Sequence, residues 1–302
     1  MKLVVGTRGS KLALAQTNHI IGLLGEKNPV LEFETRVIKT TGDKIRDAPL
    51  AKIGGKGIFV KEIDEAVTNG NVDFAVHSMK DVPTELMEDL EIVSVPRRED
   101  PRDVLISREN MNFDDLPEKA VIGTSSLRRQ AEALYKRRDL IVKDIRGNVD
   151  TRLRKLGEGD FDALIMARAG LKRLGFEDVA TQKLLVDDFL PAVGQGAIAL
   201  VALGNSGHRE LLRTINHEES MRRIHAERAF LRRLGGGCQV PLGVYTTVGQ
   251  ELYMKAAVFT PGGGRKIKVE VRGRPREYEK TGIKCAETLL SRGAREILVK
   301  FL

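Results

Sequence analysis

One pattern that occurs twice places the strongest constraint on how this chain folds. Residues 6–10 (GTRGS) follow the apolar residues 3–5 and precede a helical pattern that starts at Lys11. Residues 121–126 (VIGTSS) are followed in the same way by a helical segment from Leu127. Both stretches have the order strand, Gly-Thr turn, serine, helix, so two similar α/β domains are predicted. Each has a helix N-terminus suited to an anion, although such turns are common in α/β proteins and do not define a ligand.

Strand-like and helical runs alternate around these two turns. A helix is predicted after Gly57, and its apolar face is formed by Phe59, Ile63, Ala66 and Val67. Asn148 is the predicted N-cap of another helix. Further strands are predicted at residues 33–38, 73–76, 92–95, 140–145 and 162–166. This alternation is typical of a mostly parallel sheet with helices on its faces.

The C-terminal third has a different pattern, which begins after residues 235–237 (GGG). Apolar and polar residues alternate there as in an antiparallel meander, over residues 240–248, 251–260 and 267–272. A turn is predicted at residues 262–264, and a final helix from about residue 276 to residue 291.

The predicted fold class is therefore α/β, with two α/β domains and a C-terminal α+β domain that has a small antiparallel sheet. Residues 191–196 (PAVGQG) are typical of a segment that crosses between domains. The predicted domains are residues 1–96 with 191–215, residues 97–190, and residues 216–302.

Charge and composition restrict the partners of the chain. Lys and Arg number 50 against 42 Asp and Glu, a net charge of +8, which admits nucleic acid, an acidic membrane surface or a small polyanion. The chain has no Trp and 5% aromatic residues, so it offers few platforms for stacked bases. No basic amphipathic helix with an aromatic face is evident, so neither a nucleic acid nor a membrane is the expected partner.

The same bulk features bear on location and cofactors. No apolar run reaches the roughly 20 residues that span a bilayer, and the first residues lack a signal-peptide pattern, so a cytoplasmic protein is expected. The two cysteines form no disulfide framework, and no Cys and His cluster has metal-ligand spacing. No apolar stripe is left over for an interface, so a monomer is expected.

Arginines recur at the predicted turns after strands. In open α/β sheets, ligands bind at the carboxyl ends of the strands, where helix N-termini favour anions. Arginine forms bidentate pairs with carboxylates and phosphates. Any one of these side chains could be a solvated surface charge. Together they predict a ligand with several anionic groups, bound by Arg8, Arg128, Arg129, Arg146, Arg152 and Arg173.

A polar turn is predicted where the strand at residues 73–76 ends. It presents His77, Ser78, Lys80 and Asp81, and Pro83 closes it. An acid beside a base at a strand end is a candidate for proton transfer, although Lys-Asp pairs are also frequent on surfaces.

Cys238 follows three glycines, which permit a tight loop or the close approach of another group. A cysteine in such a loop beside basic residues could act as a nucleophile, or it could be a buried structural residue. Cys285 lies on the last predicted helix and is interpreted as core or surface filler.

Six segments taken together resemble the porphobilinogen deaminase family. They occur in order over nearly the whole chain, at residues 6–10, 54–62, 77–83, 123–129, 145–152 and 235–238. The resemblance implies two periplasmic-binding-protein-like α/β domains that flank a cleft, with a third domain that carries the cysteine. It also implies a hydroxymethylbilane synthase, a transferase that adds four porphobilinogen molecules in turn, with loss of ammonia, to a dipyrromethane cofactor linked by a thioether to Cys238.

The resemblance assigns roles to individual residues, because each pyrrole carries an acetate and a propionate and the growing chain is a polyanion. Catalysis falls to Asp81, which can protonate the leaving amine and stabilise the resulting cation, with Lys80 beside it. The cofactor is bound by Cys238, Ser10, Lys80, Asp81, Thr124, Ser126, Arg128, Arg129 and Arg152. Substrate carboxylates are bound by Arg8, Arg146, Arg152, Arg173 and Lys56. No metal is implied.

Two departures from the family pattern are visible. Arg168 precedes Ala169 where small apolar residues are usual, and residues 197–201 lack the acidic residue common after Gly196. Two other classes of function also remain open. A non-catalytic anion-binding clamshell protein would explain the arginines but neither Cys238 nor Asp81. A nucleic-acid-binding protein would show affinity that falls steeply with salt.

Overall fold

The computed structural model describes residues 2–44, 57–235, 240–299 and 301. The chain separates into two compact units, of which the first is Met1–Glu99 with Ala197–Met221 and the second is Asp100–Gly196 with Arg222–Leu302. Each unit is therefore assembled from two separate stretches of sequence. The predicted division into three domains remains a prediction.

The first unit is built on one five-stranded sheet with the order β2-β1-β3-β10-β4. Its strands are β1 (Lys2–Thr7), β2 (Glu32–Val37), β3 (Phe74–Ser78), β4 (Leu90–Ser94) and β10 (Ile198–Leu203). Its helices are α1 (Lys11–Lys27), α2 (Thr41–Lys44), α3 (Lys61–Thr68) and α7 (Arg209–Arg213), with a 3₁₀ turn at Met79–Asp81. The sheet and α1 share a core in which Leu3, Val5, Ile20, Phe74 and Leu200 are fully buried.

The second unit repeats this arrangement in a sheet with the order β7-β6-β8-β5-β9. Its strands are β5 (Asp103–Ser107), β6 (Val121–Gly123), β7 (Ile141–Lys143), β8 (Ala163–Ala167) and β9 (Gln182–Lys183). The helices that follow the parallel strands are α4 (Leu127–Lys136), α5 (Val149–Gly157) and α6 (Arg168–Arg173). The predicted N-cap is confirmed, because Oδ1 of Asn148 accepts a hydrogen bond from the backbone N–H of Thr151 at 3.2 Å.

The sheets are mixed, which corrects the prediction of mostly parallel sheets. In the first, β1 pairs in parallel with β2 and β3, whereas β10 runs antiparallel to β3 and β4. In the second, β6 pairs in parallel with β7 and β8, whereas β5 runs antiparallel to β8 and β9. The antiparallel strands β5 and β10 each begin shortly after the chain has crossed into a unit, and the alternation of strands and helices does not reveal them.

A third sheet forms the predicted antiparallel meander, in the order β11-β12-β13. Its strands are β11 (Leu242–Val248), β12 (Leu252–Phe259) and β13 (Lys266–Gly273). The helices associated with it are α8 (Glu218–Leu234), α9 (Tyr278–Leu289) and α10 (Arg295–Leu298), with a π-helical segment at Leu290–Ala294. The core between this sheet and its helices includes Phe230, Val244, Met254, Cys285 and Leu289, all fully buried.

The turn between β12 and β13 packs directly on α4. Gly263 has φ +72°, and a Cβ atom at this position would lie 2.4 Å from the backbone N of Tyr135. Only a residue without a side chain can approach the helix backbone this closely. The C-terminal sheet therefore supports the helix whose first turn carries Arg128 and Arg129.

Within the part of the chain that the structure describes, no helix combines the length and the apolar character that a membrane crossing requires.

Candidate active site

In the first unit, four predicted site residues lie at one edge of the sheet. Because β1 and β3 run parallel, their carboxyl ends meet at the same edge. Arg8 and Ser10 follow β1, and Lys80 and Asp81 occupy the 3₁₀ turn that follows β3. Ser10 is the N-cap of α1, since its Oγ accepts a hydrogen bond from the N–H of Ala13 at 3.2 Å.

Asp81 carries the carboxylate of this turn. It is half-buried and makes no hydrogen bond or ion pair with the residues that the structure describes. Lys80, beside it, is also half-buried. A carboxylate at the carboxyl edge of a sheet without an internal partner is available to a bound ligand.

His77 and Ser78 are not presented in this turn, and the prediction that they are is wrong. Strand β3 continues through Ser78, so His77 points into the interior, where its Nε2 lies 2.9 Å from Oδ1 of the buried Asp64. Ser78 donates to Oε1 of Gln16 at 2.9 Å. The turn after β3 therefore contains Lys80 and Asp81 but not the other two residues that the sequence pattern places there.

Arg8 is held by a residue that the sequence reasoning missed. Its Nη2 lies 2.5 Å from Oδ1 of Asp43, and its guanidinium carbon lies 4.3 Å from the centroid of the Phe59 ring. Burial opposes ionisation of Asp43, but hydrogen bonds from Arg8 and Thr40 outweigh it and lower the pKa of Asp43. No local sequence motif marks Asp43, and its contact with Arg8 identifies it as part of the site.

In the second unit, the predicted residues follow three parallel strands. Thr124 and Ser126 lie in the turn after β6, Arg146 follows β7, and α6 follows β8. Ser126 caps α4, because its Oγ accepts from the N–H of Arg129 at 3.5 Å. Thr124 is buried, and its Oγ1 accepts from the N–H of Ser126 at 3.3 Å. The two hydroxyls thus shape the turn that starts α4.

Three of the predicted arginines form a cluster of like charge. Burial, and then the positive charges of Arg129 and Arg146, lower the pKa of Arg152 to about 10. Nε of Arg152 donates to the carbonyl of Gly147 at 2.9 Å. Arg146 makes no hydrogen bond or ion pair within the described ranges. Arg146 and Arg152 therefore carry positive charge that no carboxylate within the described ranges neutralises, and this charge favours the binding of an anion here.

Arg128, by contrast, is committed to a buried network. Its Nη1 donates to Oε2 of Glu132 at 2.8 Å and to the carbonyl of Leu190 at 2.5 Å. The same atom lies 2.8 Å from Oδ2 of Asp103. Nη2 of Arg129 donates to the other oxygen, Oδ1 of Asp103, at 2.7 Å. Asp103 therefore bridges the two arginines, a role that the sequence reasoning missed.

The two acids in this network respond differently to burial. Burial opposes ionisation of Asp103, but Arg128 and Arg129 outweigh it and hold the pKa of Asp103 well below its usual range. Burial dominates at Glu132 and raises its pKa to about 8, although Arg128 acts in the opposite direction. The Arg128–Glu132 pair at (i, i+4) spacing was the one signal of this network in the sequence.

The remaining predicted residues fall into two groups. Arg173 ends α6 half-buried, and its Nη2 donates to the carbonyl of Gly196 at 2.6 Å. Cys238 and Lys56 lie outside the described residues. Cys285, interpreted from the sequence as core or surface filler, is a core residue, and burial raises the pKa of its thiol to about 12. Within the described ranges, no group of three or more His, Cys, Asp or Glu side chains could hold a metal ion.

Arg168, which departs from the family pattern, also lies in this unit. Its guanidinium forms ion pairs with Glu177 and, at 3.5 Å, with Asp100. These ion pairs, formed at the start of α6, explain the position of the Arg168 side chain.

Comparison with known families gives two matches that together span most of the chain. Residues 3–209 match the family described as "Porphobilinogen deaminase, dipyromethane cofactor binding domain". Residues 221–291 match "Porphobilinogen deaminase, C-terminal domain".

Relatives with assigned names agree with these matches. The chain is 48% identical to the porphobilinogen deaminase of Shouchella clausii, over 99% of this chain and 97% of that protein. It is 50% identical to the porphobilinogen deaminase of Geobacter sulfurreducens, over 99% of this chain and 94% of that protein. Among solved structures, a TRAP periplasmic solute binding protein from Desulfovibrio salexigens is similar with a TM-score of 0.45 and 11% identity, over 77% of each chain.

Proposed function

Because this chain belongs to the porphobilinogen deaminase family and is a hydroxymethylbilane synthase with a dipyrromethane cofactor, we propose that the two sheet edges described above supply its catalytic and binding residues. The enzyme is a transferase of tetrapyrrole biosynthesis whose substrate is porphobilinogen. The observation that carries the assignment of the site is the cluster of Arg129, Arg146 and Arg152, in which burial first, and then the like charges of Arg129 and Arg146, lower the pKa of Arg152.

The residues present fit a dipyrromethane bearing four carboxylates. Arg129, Arg146 and Arg152 offer guanidinium groups, and Nε of Arg129 is buried without a hydrogen-bond partner among the described residues. A ligand with several carboxylates would supply the missing negative charge and acceptor oxygens. When bound, the cofactor supplies the pyrrole carbon to which the first substrate is joined.

Attachment of the cofactor is assigned to Cys238 through a thioether. Of the two cysteines, Cys285 is buried in the C-terminal core with a raised thiol pKa, so it is unsuited to nucleophilic attack. In the sequence, Cys238 directly follows residues 235–237 (GGG), and this setting supports the role. A thiol that must remain reduced until modified also supports a cytoplasmic location.

Asp81 is proposed as the catalytic acid. The amine of porphobilinogen leaves as ammonia, which requires a proton on nitrogen while the C–N bond breaks and leaves a cation on the pyrrole. The carboxyl group of Asp81, which makes no hydrogen bond with the described residues, can deliver that proton, and as a carboxylate it then stabilises the cation. Lys80, in the same turn, is proposed to pair with a carboxylate of the cofactor.

The other assignments divide between cofactor and substrate. Ser10, Thr124, Ser126, Arg128 and Arg129 are proposed on the cofactor side, with Arg152 shared. Their place at helix N-termini and strand ends supports this role. Arg128 contributes there through the packing of the turn, because its guanidinium is buried in ion pairs. Substrate carboxylates are assigned to Arg8, Arg146, Arg173 and Lys56.

We also propose three domains, with the C-terminal sheet as the third, and a monomeric enzyme that binds neither nucleic acid nor membranes. Size-exclusion chromatography with light scattering tests the monomer. Filter binding at two salt concentrations tests the exclusion of nucleic acid, since a nucleic-acid-binding protein loses affinity steeply with salt.

The experiment that tests the proposed site as a whole follows porphobilinogen, ammonia and linear tetrapyrrole in one reaction. The account predicts one ammonia per porphobilinogen consumed and one tetrapyrrole per four. Replacing both Arg146 and Arg152 with Gln should abolish the product while leaving the protein folded. Unchanged turnover in that double variant would exclude the arginine cluster as the anion site.

A further inference from the structure

Gln195 occupies a buried position that the family matches and the sequence pattern leave without a role. It lies next to Gly196, the last residue before the chain leaves the second unit. Its side chain is 1% exposed, and its Nε2 donates to the carbonyl of Pro101 at 2.6 Å and to Oδ1 of Asp103 at 2.8 Å. Two acceptors on one nitrogen fix the orientation of the carboxamide.

The fixed carboxamide turns its oxygen toward the two buried arginines. Oε1 of Gln195 lies 3.5 Å from Nη2 of Arg128 and 3.4 Å from Nη2 of Arg129. Oδ1 of Asp103 accepts from the same Nη2 of Arg129 at 2.7 Å. Arg129, Asp103 and Gln195 thus form a closed triangle of side chains, each in contact with the other two.

Several groups share the charges around this triangle. Asp103 is one carboxylate between two guanidinium groups, and Arg128 also pairs with Glu132, whose pKa burial raises to about 8. Gln195 adds an acceptor without adding charge. The positive charge of Arg129 also acts on Arg152. Burial first, and then the charges of Arg129 and Arg146, lower the pKa of Arg152. A glutamate at position 195 would be nearly the same size. It would neutralise Arg129 and place a second carboxylate against the oxygens of Asp103 and Pro101.

We propose that Gln195 is a positioning residue for the reaction: with Asp103 it holds the guanidinium of Arg129 at the carboxyl edge of the sheet, and it leaves the charge of Arg129 available to the carboxylates of the dipyrromethane cofactor. The inference rests on the proposed role of Arg129 in cofactor binding. The proposed role of Gln195 differs from a packing role, because it requires an uncharged hydrogen-bond acceptor at this position and not merely a side chain of the same volume.

The test compares Gln195→Glu with a charge-conserving double variant, Asp103→Asn/Gln195→Glu. The control is Gln182→Glu, the same substitution in the same unit, where the side-chain oxygen accepts from the N–H of Phe113 at 2.7 Å. Three quantities are measured: the fraction of chains that carry the dipyrromethane mass, the KM for porphobilinogen, and the thermal unfolding midpoint. The mass readout does not depend on turnover.

Gln195→Glu should lower the fraction of cofactor-bearing chains and raise KM about tenfold or more, as expected when a charge-assisted hydrogen bond is lost. The double variant keeps one carboxylate and one amide beside the arginines, but the carboxylate at position 195 still faces the carbonyl of Pro101. Both quantities should therefore recover part of the way from the Gln195→Glu values toward those of the wild type. Gln182→Glu should match the wild type in all three measurements.

Several outcomes would overturn the inference. Wild-type cofactor content and KM in Gln195→Glu would show that the neutral acceptor is unnecessary. A double variant as impaired as the single variant would show that packing, and not charge, matters. If Gln195→Glu does not fold, a loss of cofactor in the folded double variant contradicts the inference by itself. A wild-type protein that acquires no pyrroles would instead overturn the proposed assignment of the site, which is a separate result.

Discussion

Arg8 and Asp43 form an ion pair in the first unit, with Nη2 of Arg8 2.5 Å from Oδ1 of Asp43, 35 residues away in sequence. The ion pair fixes the position of Arg8, a proposed substrate-binding residue, and no sequence motif marks its partner Asp43. Thr40 adds two hydrogen bonds to the same carboxylate, from its backbone N–H at 3.2 Å and its hydroxyl at 2.8 Å. Arg8 is therefore oriented before a substrate arrives.

Asp43→Asn should destabilise the protein by about 1 kcal/mol at neutral pH and raise the KM for porphobilinogen several-fold, because the pair is partly solvated and Arg8 loses its orientation. The pKa of Asp43 is lowered in the folded state. The stabilisation is therefore present above the ordinary carboxyl pKa of about 3.9 and is lost as pH falls through the lowered folded value. Urea unfolding of both proteins at several pH values checks this, and a stability difference that persists at the lowest pH would contradict it.

Asp81→Asn should keep the fold and the cofactor but lower kcat by roughly 10²- to 10⁴-fold, the usual contribution of a positioned general acid. The control is Glu88→Gln, an exposed acid in the same connection between β3 and β4. Ammonia release and intact mass are measured for both variants. Near-normal turnover in Asp81→Asn would exclude the proton-transfer role.

Arg152→Gln and Arg146→Gln should each raise the KM for porphobilinogen about tenfold or more, because each removes a charge-assisted contact to a carboxylate. Arg154→Gln on the same helix is the matched control, since Arg154 is exposed and pairs with Glu158. Steady-state kinetics at fixed ionic strength checks the prediction. Equal effects of the substitutions at positions 152 and 154 would mean that net charge, and not the cluster, governs binding.

Gly263→Ala should destabilise the protein by about 2 kcal/mol or more, because the new Cβ would meet the backbone of α4 at 2.4 Å and the positive φ adds strain. Gly262→Ala is the control, because Gly262 has a similar φ of +77° but open space around it, so it should cost only about 1 kcal/mol of backbone strain. Thermal unfolding of the two variants separates packing from strain. Equal losses would contradict the docking of this turn on α4.

The sequence predicted the features that local pattern controls. The repeated Gly-Thr-Ser turns, the cap at Asn148 and the C-terminal meander all follow from spacing within a few residues, and all are confirmed. Strands β5 and β10 were missed because a strand buried on both faces shows no alternation, and its short apolar run resembles a segment of buried helix.

The candidate site was predicted only in part, for a related reason. The arginines lie beside turn signals, whereas Asp103 and Gln195 act on Arg129 from 26 and 66 residues away. The tertiary fold brings Asp103 and Gln195 to Arg129, and no local sequence pattern identifies them as its partners. His77 was misplaced because no residue type marks where β3 ends, and the strand runs two residues beyond the predicted end.

The most direct test of the central claim is the intact mass of the purified chain, followed by peptide mapping of any excess. The account predicts an excess equal to two linked pyrrole units, located on the peptide that contains Cys238, and further pyrrole units there after incubation with porphobilinogen. The peptide that contains Cys285 should be unmodified, since that thiol is buried with a pKa raised to about 12. A chain that remains unmodified after incubation, or one modified at a residue other than Cys238, would contradict the account.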